Sequence, residues 1–369
     1  MLAAQSQKPS ITGLPGVLSR PGSESPGTTH TQRLKGVIRK LDAGSFDLEM
    51  PDTRIFSIQI LPGTAQPAGL QTGDGVELVA SQDKDGLLQA MSVRPDPKIA
   101  RTIEVNSQTE PEARRAAALP TILVGPGPQP GDTPSPPGSR QESIEQARAA
   151  AWNFLRALPN YICEEHITRY VSETHQPGWN VVDVVTAEVV FEDRKESYRK
   201  VAINGKPSKK SPEDSGAWSS GEFGTILGYV FGPASAAEFQ YRQDGKIEHH
   251  PASIYGFQVD RRHSTWRVQA PGQYILPPYR GSVWIDPQSG HTLRIEMQAT
   301  GIPKAFPRLT VETAVDYDYL GLGTSEKFLL PVHAEILSCS RTSNQCERNV
   351  IEFRGYHKFA GESTVQFRE

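Results

Sequence analysis

The sequence predicts a mainly β protein: a small N-terminal antiparallel barrel, then a larger antiparallel half-barrel with covering helices. Three observations carry that expectation. Short runs alternate apolar and polar residues with period two over most of the chain, as strands with one covered face do. Apolar residues recur at helical spacing in two stretches, and a proline-rich stretch divides the alternating runs into a short set and a long one. The chain has 369 residues, with 32 glycines and 30 prolines, too long for one typical domain and rich in the residues of tails and linkers. The expected organisation is a disordered tail over 1–30, a barrel over 31–95, a Pro-rich linker over 96–141 and the half-barrel over 142–369.

Residues 8–29 repeat proline and glycine with few apolar partners, which gives a tail nothing to bury. Five short alternating runs follow, at Leu34 to Arg39, Ser45 to Met50, Arg54 to Ile60, Val76 to Val79 and Leu87 to Val93. Turn residues at Asp42-Ala43-Gly44, Pro51-Asp52, Thr72 to Gly75 and Asp83 to Gly86 separate them. Five short strands punctuated in this way predict a small closed barrel. With the Gly73-Asp74-x-Val76-Glu77-Leu78 pattern, the segment resembles the small OB-like barrels of bacterial exported proteins.

Prolines from Pro120 to Pro137 favour an extended, semi-rigid spacer. Ser139-Arg140-Gln141-Glu142 then fits a Ser-x-x-Glu helix start. Ile144, Ala147, Ala151, Phe154, Leu155 and Leu158 continue at helical spacing until Pro159 stops the run.

Beyond that helix the period returns to two. Strands are expected at Ile162 to Val171, Val181 to Phe191, Glu196 to Ile203, Tyr255 to Asp260, Thr265 to Gln269 and Asn349 to Phe359. Leu309 to Tyr319 and Phe328 to Ile336 alternate as well, and Val283-Trp284-Ile285 and Leu293 to Met297 form a hairpin around Asp286 to Gly290. Nine or ten strands of one-sided alternation need a cover on one face. Between them Phe223, Ile226, Leu227, Val230 and Phe231 share one helical stripe, while Gly221, Gly224 and Gly228 leave another without bulk. That helix is either an ordinary core helix or a movable cover over a lipid-sized cavity.

The chain has three cysteines. Cys339 and Cys346 flank a polar, turn-rich segment between two strand-like runs, which sets them opposite each other across a hairpin and within disulfide reach, two unpaired thiols being the alternative. Cys163 stands alone as a small buried residue. A disulfide implies an oxidising compartment, so a periplasmic or secreted location is expected. Met1-Leu2-Ala3-Ala4-Gln5 lacks a charged and an apolar region but looks like the small-residue end of a signal sequence whose start is missing.

No His-Glu-x-x-His, Walker loop or Gly-x-Ser-x-Gly pattern is present. His249 and His250 read as a turn before Pro251, and Gly321-Leu322-Gly323 as a hairpin turn. Asp316 and Asp318 continue a face with Glu312 and Thr310 and read as solvated. No catalytic residue, metal site or cofactor is expected. A net charge of −3 disfavours a polyanion partner. The barrel segment itself balances to −1 and offers only Phe46 and Phe56, both core by alternation, where a nucleic-acid binder needs exposed stacking rings.

Leu158-Pro159-Asn160-Tyr161-Ile162-Cys163, Ser220-Gly221-Glu222-Phe223-Gly224, Gly281-Ser282-Val283-Trp284-Ile285-Asp286, Phe328-Leu329-Leu330-Pro331-Val332 and the closing Ile351 to Phe359 together resemble a family of exported bacterial proteins of the acidobacterial type. Its architecture is similar to that of the periplasmic outer-membrane lipoprotein carriers. The resemblance runs from Glu142 to the end. It implies an incomplete barrel wrapped round a helix, holding a lipid or the acyl chain of a lipidated protein on its concave face without catalysis. It transfers no individual ligand residue. By their own positions Phe223, Leu227, Phe231, Trp266, Trp284, Tyr317 and Phe328 are the expected cavity or cover residues. The rival expectation is a structural or protein-interaction module of the cell envelope with no ligand cavity, and an envelope protein partner fits either reading.

Overall fold

The computed structural model describes residues 31–65, 69–83, 87–99, 119–125, 139–173, 178–192, 195–209, 224–323 and 327–358. The expected tail and the helical-stripe residue Phe223 lie outside them. β1 (Thr31–Asp42), β2 (Ser45–Glu49), β3 (Ile55–Ala65), β4 (Gly75–Gln82) and β5 (Leu88–Pro95) realise the five expected runs. Antiparallel pairing follows the order β3-β2-β1-β4-β5, and a parallel β3–β5 pairing closes the ring at Ile58 and Leu88. Alternation sends Ile38, Phe46, Leu48, Ile58, Leu78 and Ala90 inward, so closure buries one face of every strand around one small core. At Gly36 the Glu49 carbonyl approaches so closely that a side chain would collide with it.

α1 (Ser139–Ala157) begins ahead of the expected domain start at 142. Then come β6 (Tyr161–Glu173), β7 (Asn180–Glu192), β8 (Lys195–Ile203) and β9 (Lys206–Pro207). α2 (Thr225–Phe231) precedes β10 (Glu238–Ile247) and β11 (His250–Val259). β12 (Val268–Ala270), β13 (Gln273–Ile275), β14 (Tyr279–Ile285) and β15 (Thr292–Ala299) follow. β16 (Arg308–Gly321), β17 (Lys327–Ser340) and β18 (Gln345–Lys358) close the order. Eleven strands form one antiparallel sheet ordered β10-β11-β14-β15-β16-β17-β18-β6-β7-β8-β9. Strand β10 was not expected, because Glu238, Gln240, Arg242 and Asp244 break the apolar run of a strand that lies at the sheet edge, where polar residues are tolerated.

The run expected at Thr265 to Gln269 does not join this sheet. Only its Val268 and Gln269 enter β12, which ends at Ala270, and the β12–β13 hairpin extends the small barrel, pairing Tyr274 with Ile55 and Gln273 with Phe56. The Tyr274 hydroxyl donates to Asp47 at 2.8 Å, and burial together with that bond pushes its pKa up to about 12. The hairpin therefore ties the barrel edge-on to the loops of the large sheet.

Among the described residues no helix is long and apolar enough to cross a membrane. Cys339 and Cys346 stand opposite each other on β17 and β18 and form the expected disulfide. The Glu248–His249 turn and the β16–β17 hairpin at Gly321 to Gly323 lie where the sequence placed turns, except that His250, expected in the turn, opens β11 because it pairs with Ile247 across the hairpin.

Candidate functional site

Successive side chains of a strand point to opposite faces, so cross-strand partners build rows on one face. One such row on the concave face of the large sheet is apolar throughout. It passes from Tyr241 through Tyr255 and Val283 to Ile295 and Val315. Ala334, Ile351, Ile167, Val185 and Ile203 then carry it to β8. The neighbouring row begins apolar with Phe239, Phe257 and Met297, then turns polar at Asn349, Arg169 and Asp183. There Arg169 holds Asp183 through two 2.6 Å bonds, the bidentate geometry that satisfies a buried pair.

α1 and α2 cover part of this face. In α1, Ile144, Ala147 and Ala151 are buried on one stripe, and Phe154 meets Tyr317 edge-on at 6.3 Å. In α2, Leu227 and Phe231 are buried, Phe231 stacks on Phe239 at 5.5 Å, and the Tyr229 carbonyl accepts the Tyr279 hydroxyl at 2.6 Å. No side chain caps the α2 N-terminus at Gly224. At the other end Arg148 of α1 donates to the carbonyls of Phe231 and Ala237 at 3.4 and 3.2 Å, joining the two helices where the last turn has free acceptors.

The expected cavity residues separate on this frame. Leu227, Phe231 and Tyr317 lie at the covered concave face, and Trp266, in the loop before β12, packs edge-on against Tyr279 at 5.6 Å. Trp284 does not belong there. It is one residue from the concave Val283 and shares the convex face with Arg294, whose guanidinium lies 5.7 Å from its ring. A strand of seven residues buried on both sides carries no alternation that tells its faces apart. Phe328 is half-buried opposite Leu320 near the β16–β17 turn, and Phe223 lies outside the described residues. Cys163 is free and buried beside Tyr161 and Val189, and burial raises its thiol pKa far above the usual range, which keeps it an inert neutral thiol.

Sequence reasoning missed the convex face. Glu312 and Thr310 are buried there rather than solvated, and Asp316 is held by Arg294 at 2.7 Å. Residues Leu119 to Gly125, inside the expected spacer, cross this face as a strap. Glu312 accepts the Thr121 hydroxyl at 2.9 Å and the Ile122 N–H at 3.0 Å, while Glu296 accepts the N–H groups of Val124 and Gly125, both at 2.9 Å. Gln298 and Arg294 supply the remaining donors to Glu312 and Glu296. Burial raises the Glu312 carboxyl pKa against the lowering effect of these donors. At Gly125 a Cβ would lie 2.5 Å from the Trp284 ring and 2.9 Å from Ser282, so the strap needs glycine there. Ile122 seats among Ala314, Leu337 and the disulfide. The available signal was two acidic residues, Glu296 and Glu312, on strands that are otherwise buried.

Among the described residues no group of three or more His, Cys, Asp or Glu side chains is placed to hold a metal ion. His291 and Tyr319 share a 2.7 Å hydrogen bond at the α1 end of the sheet, and burial lowers the His291 pKa, favouring the neutral ring.

No family model matches the chain, and no curated protein matches it. Eight chains of solved structures do. A LolA superfamily protein from Nitrosomonas europaea is 7% identical, with 60% of this chain and 93% of that one covered at a TM-score of 0.27. A putative outer membrane lipoprotein-sorting protein domain from Vibrio parahaemolyticus is 8% identical, with 61% and 95% covered at 0.28. A DUF1329 family protein from Desulfovibrio piger is 7% identical, with 62% and 96% covered at 0.31.

Proposed function

We propose that this is a non-enzymatic cell-envelope protein that takes a hydrophobic ligand, a lipid or the acyl chain of a lipoprotein, between the concave face of its large sheet and α2. The apolar row running across ten strands, from Tyr241 to Ile203, is the observation that carries the reading. α1 and α2 together already bury it, with Tyr255, Val283 and Val315 at most 3% exposed, so a ligand enters by displacing α2, and each methylene moved from water onto the row is worth about 0.8 kcal/mol before ordering costs. Leu227 and Phe231 act as the cover, with Tyr317 and Trp266 at its margins. The Cys339–Cys346 disulfide supports a periplasmic or secreted location, because such bonds persist in oxidising compartments. The OB-like barrel contributes a protein contact.

A second reading, an envelope interaction module without a cavity, is favoured by the tight packing of the same side chains: Leu227, Phe231 and Tyr317 are at most 5% exposed. Native mass spectrometry of protein purified without detergent, paired with a fluorescent fatty-acid probe, separates the two. The carrier reading expects a co-purifying lipid mass and a gain in probe fluorescence, both lost in Leu227→Asp. A clean apo mass together with no fluorescence gain in the unaltered protein overturns it, whatever the variant does.

A further inference from the structure

The Cys339–Cys346 disulfide has no exposed surface. Its neighbours on the convex face are Ile122, Leu337 and Ala314, with Leu119, Leu123 and Trp179 packed around them. Three of these six belong to the linker strap, which the sheet holds through the backbone and hydroxyl donors received by Glu296 and Glu312. A carboxylate accepting backbone N–H groups makes a strong contact only while the donor segment stays in register. The strap is thus a docked cover with a directional anchor at each end, lying over a covalent bond that is chemically labile to thiols.

We propose that the Leu119–Gly125 strap guards the disulfide. Docked on Glu296 and Glu312, it keeps the bond out of reach of a dithiol reductant, and reduction of the bond in turn loosens the strap. Reduction requires a thiolate of the reductant to attack one cysteine sulfur. The S–S bond breaks, the other cysteine leaves as a thiolate and takes a proton, and a mixed disulfide forms. The reductant's second thiol then displaces the first cysteine. The protein gains two electrons and two protons, and the dithiol becomes a disulfide. Attack needs an open path to a sulfur, and local opening of the strap supplies it. Once the sulfurs separate, the hydrophobic seat of Ile122 between β17 and β18 loses its covalent tie, so the segment joining the barrel to the large sheet responds to the redox state.

The test uses the full chain, dithiothreitol as the reductant, and trapping of each thiol with N-ethylmaleimide followed by peptide mass analysis. Cys163 is the internal control, because it is buried on the opposite face and becomes accessible only on general loosening. In Glu296→Gln/Glu312→Gln both acceptors lose their charge, and at position 296 the amide nitrogen must face the Val124 or the Gly125 N–H, which bond to different oxygens of Glu296. In Ile122→Ser, the strap loses its apolar seat while the sheet is untouched. Both variants are expected to be reduced about tenfold faster or more, as the loss of charge-assisted or packing contacts shifts the opening equilibrium, with Cys163 labelling unchanged. Unchanged reduction in Ile122→Ser, or Cys163 labelling that rises in step with it, overturns the guard. For the reciprocal half, chymotrypsin is expected to cut after Leu123 faster in the Cys339→Ser/Cys346→Ser protein than in the oxidised protein, the Leu119–Pro120 bond being closed to it. Equal cutting overturns that half.

Discussion

The concave face of the large sheet is buried by apolar rings and aliphatic groups from α1 and α2, whereas part of the convex face, around Glu296, Glu312 and the disulfide, is buried by seven residues of linker whose donors end on those two carboxylates. The first kind of cover is mainly non-directional: Phe231 on Phe239 and Leu227 on its neighbours gain by area removed from water, and only the Tyr229 and Phe231 carbonyls of α2 add directional bonds, from Tyr279 and Arg148. The second is directional, since the N–H groups of Ile122, Val124 and Gly125 meet Glu312 and Glu296 in only one register. One sheet therefore carries a cover suited to adjust and a cover suited to hold. The difference explains how a chain segment rich in proline and glycine can still be fixed in place.

The contrast breaks most strongly at Phe257, which is fully buried on the concave face between the rings of Phe239 and Tyr279. Phe257→Ala is expected to cost about 3–5 kcal/mol by chemical denaturation; a loss below about 1 kcal/mol would mean that the face is loosely packed and already open. On the convex face the corresponding change is removal of the disulfide. Cys339→Ser/Cys346→Ser is expected to cost about 2–3 kcal/mol on the chain-entropy account of a short loop, read from the shift in denaturation midpoint at unchanged slope. Gly125→Ala follows, at about 1–2 kcal/mol, because its new methyl meets Trp284 and the strap lifts. Hydrogen exchange at the Val124 amide should quicken with it, and an unaltered amide would show that the strap tolerates the methyl group.

The smallest effect lies at the margin of the convex face, where His333 reaches Glu352 at 2.7 Å and Glu335 at 3.2 Å. The Glu335 hydrogen bond leads the causes that raise the His333 pKa above its ordinary value, against burial. A raised folded pKa means that the pair stabilises the fold fully below the unfolded histidine value near 6.5 and that this contribution is lost as pH rises through the folded value. The amount is under about 1 kcal/mol for so exposed a cluster. Stability of His333→Gln should lose this slope as pH rises above about 6.5, and a slope equal to that of the unaltered protein would remove His333 as its source.

Much of the strand framework was legible because one-sided burial writes itself into alternation. The five runs of the barrel, the β14–β15 hairpin and the opposition of Cys339 and Cys346 all follow from spacing along the chain. Edge strand β10 escaped because an edge tolerates polar residues. Trp284 was placed on the wrong side because β14 is buried on both faces, which removes the alternation that assigns a face. Glu312 was read as solvated because a carboxylate in an alternating strand ordinarily faces water, and nothing local to it announces a linker segment about 190 residues earlier in the chain.

By itself the sequence determined the strand class, the turns, the position of both helical stripes and the covalent tie, since each depends on residues within a few positions of one another. Tertiary structure alone decided that β12 and β13 join the barrel, that the spacer docks as a strap, and which face each ring occupies. Those outcomes depend on hydrogen bonds and burial between segments far apart in the chain. Their free energy is set by where the folded backbone brings a donor to a carboxylate or a ring to a ring.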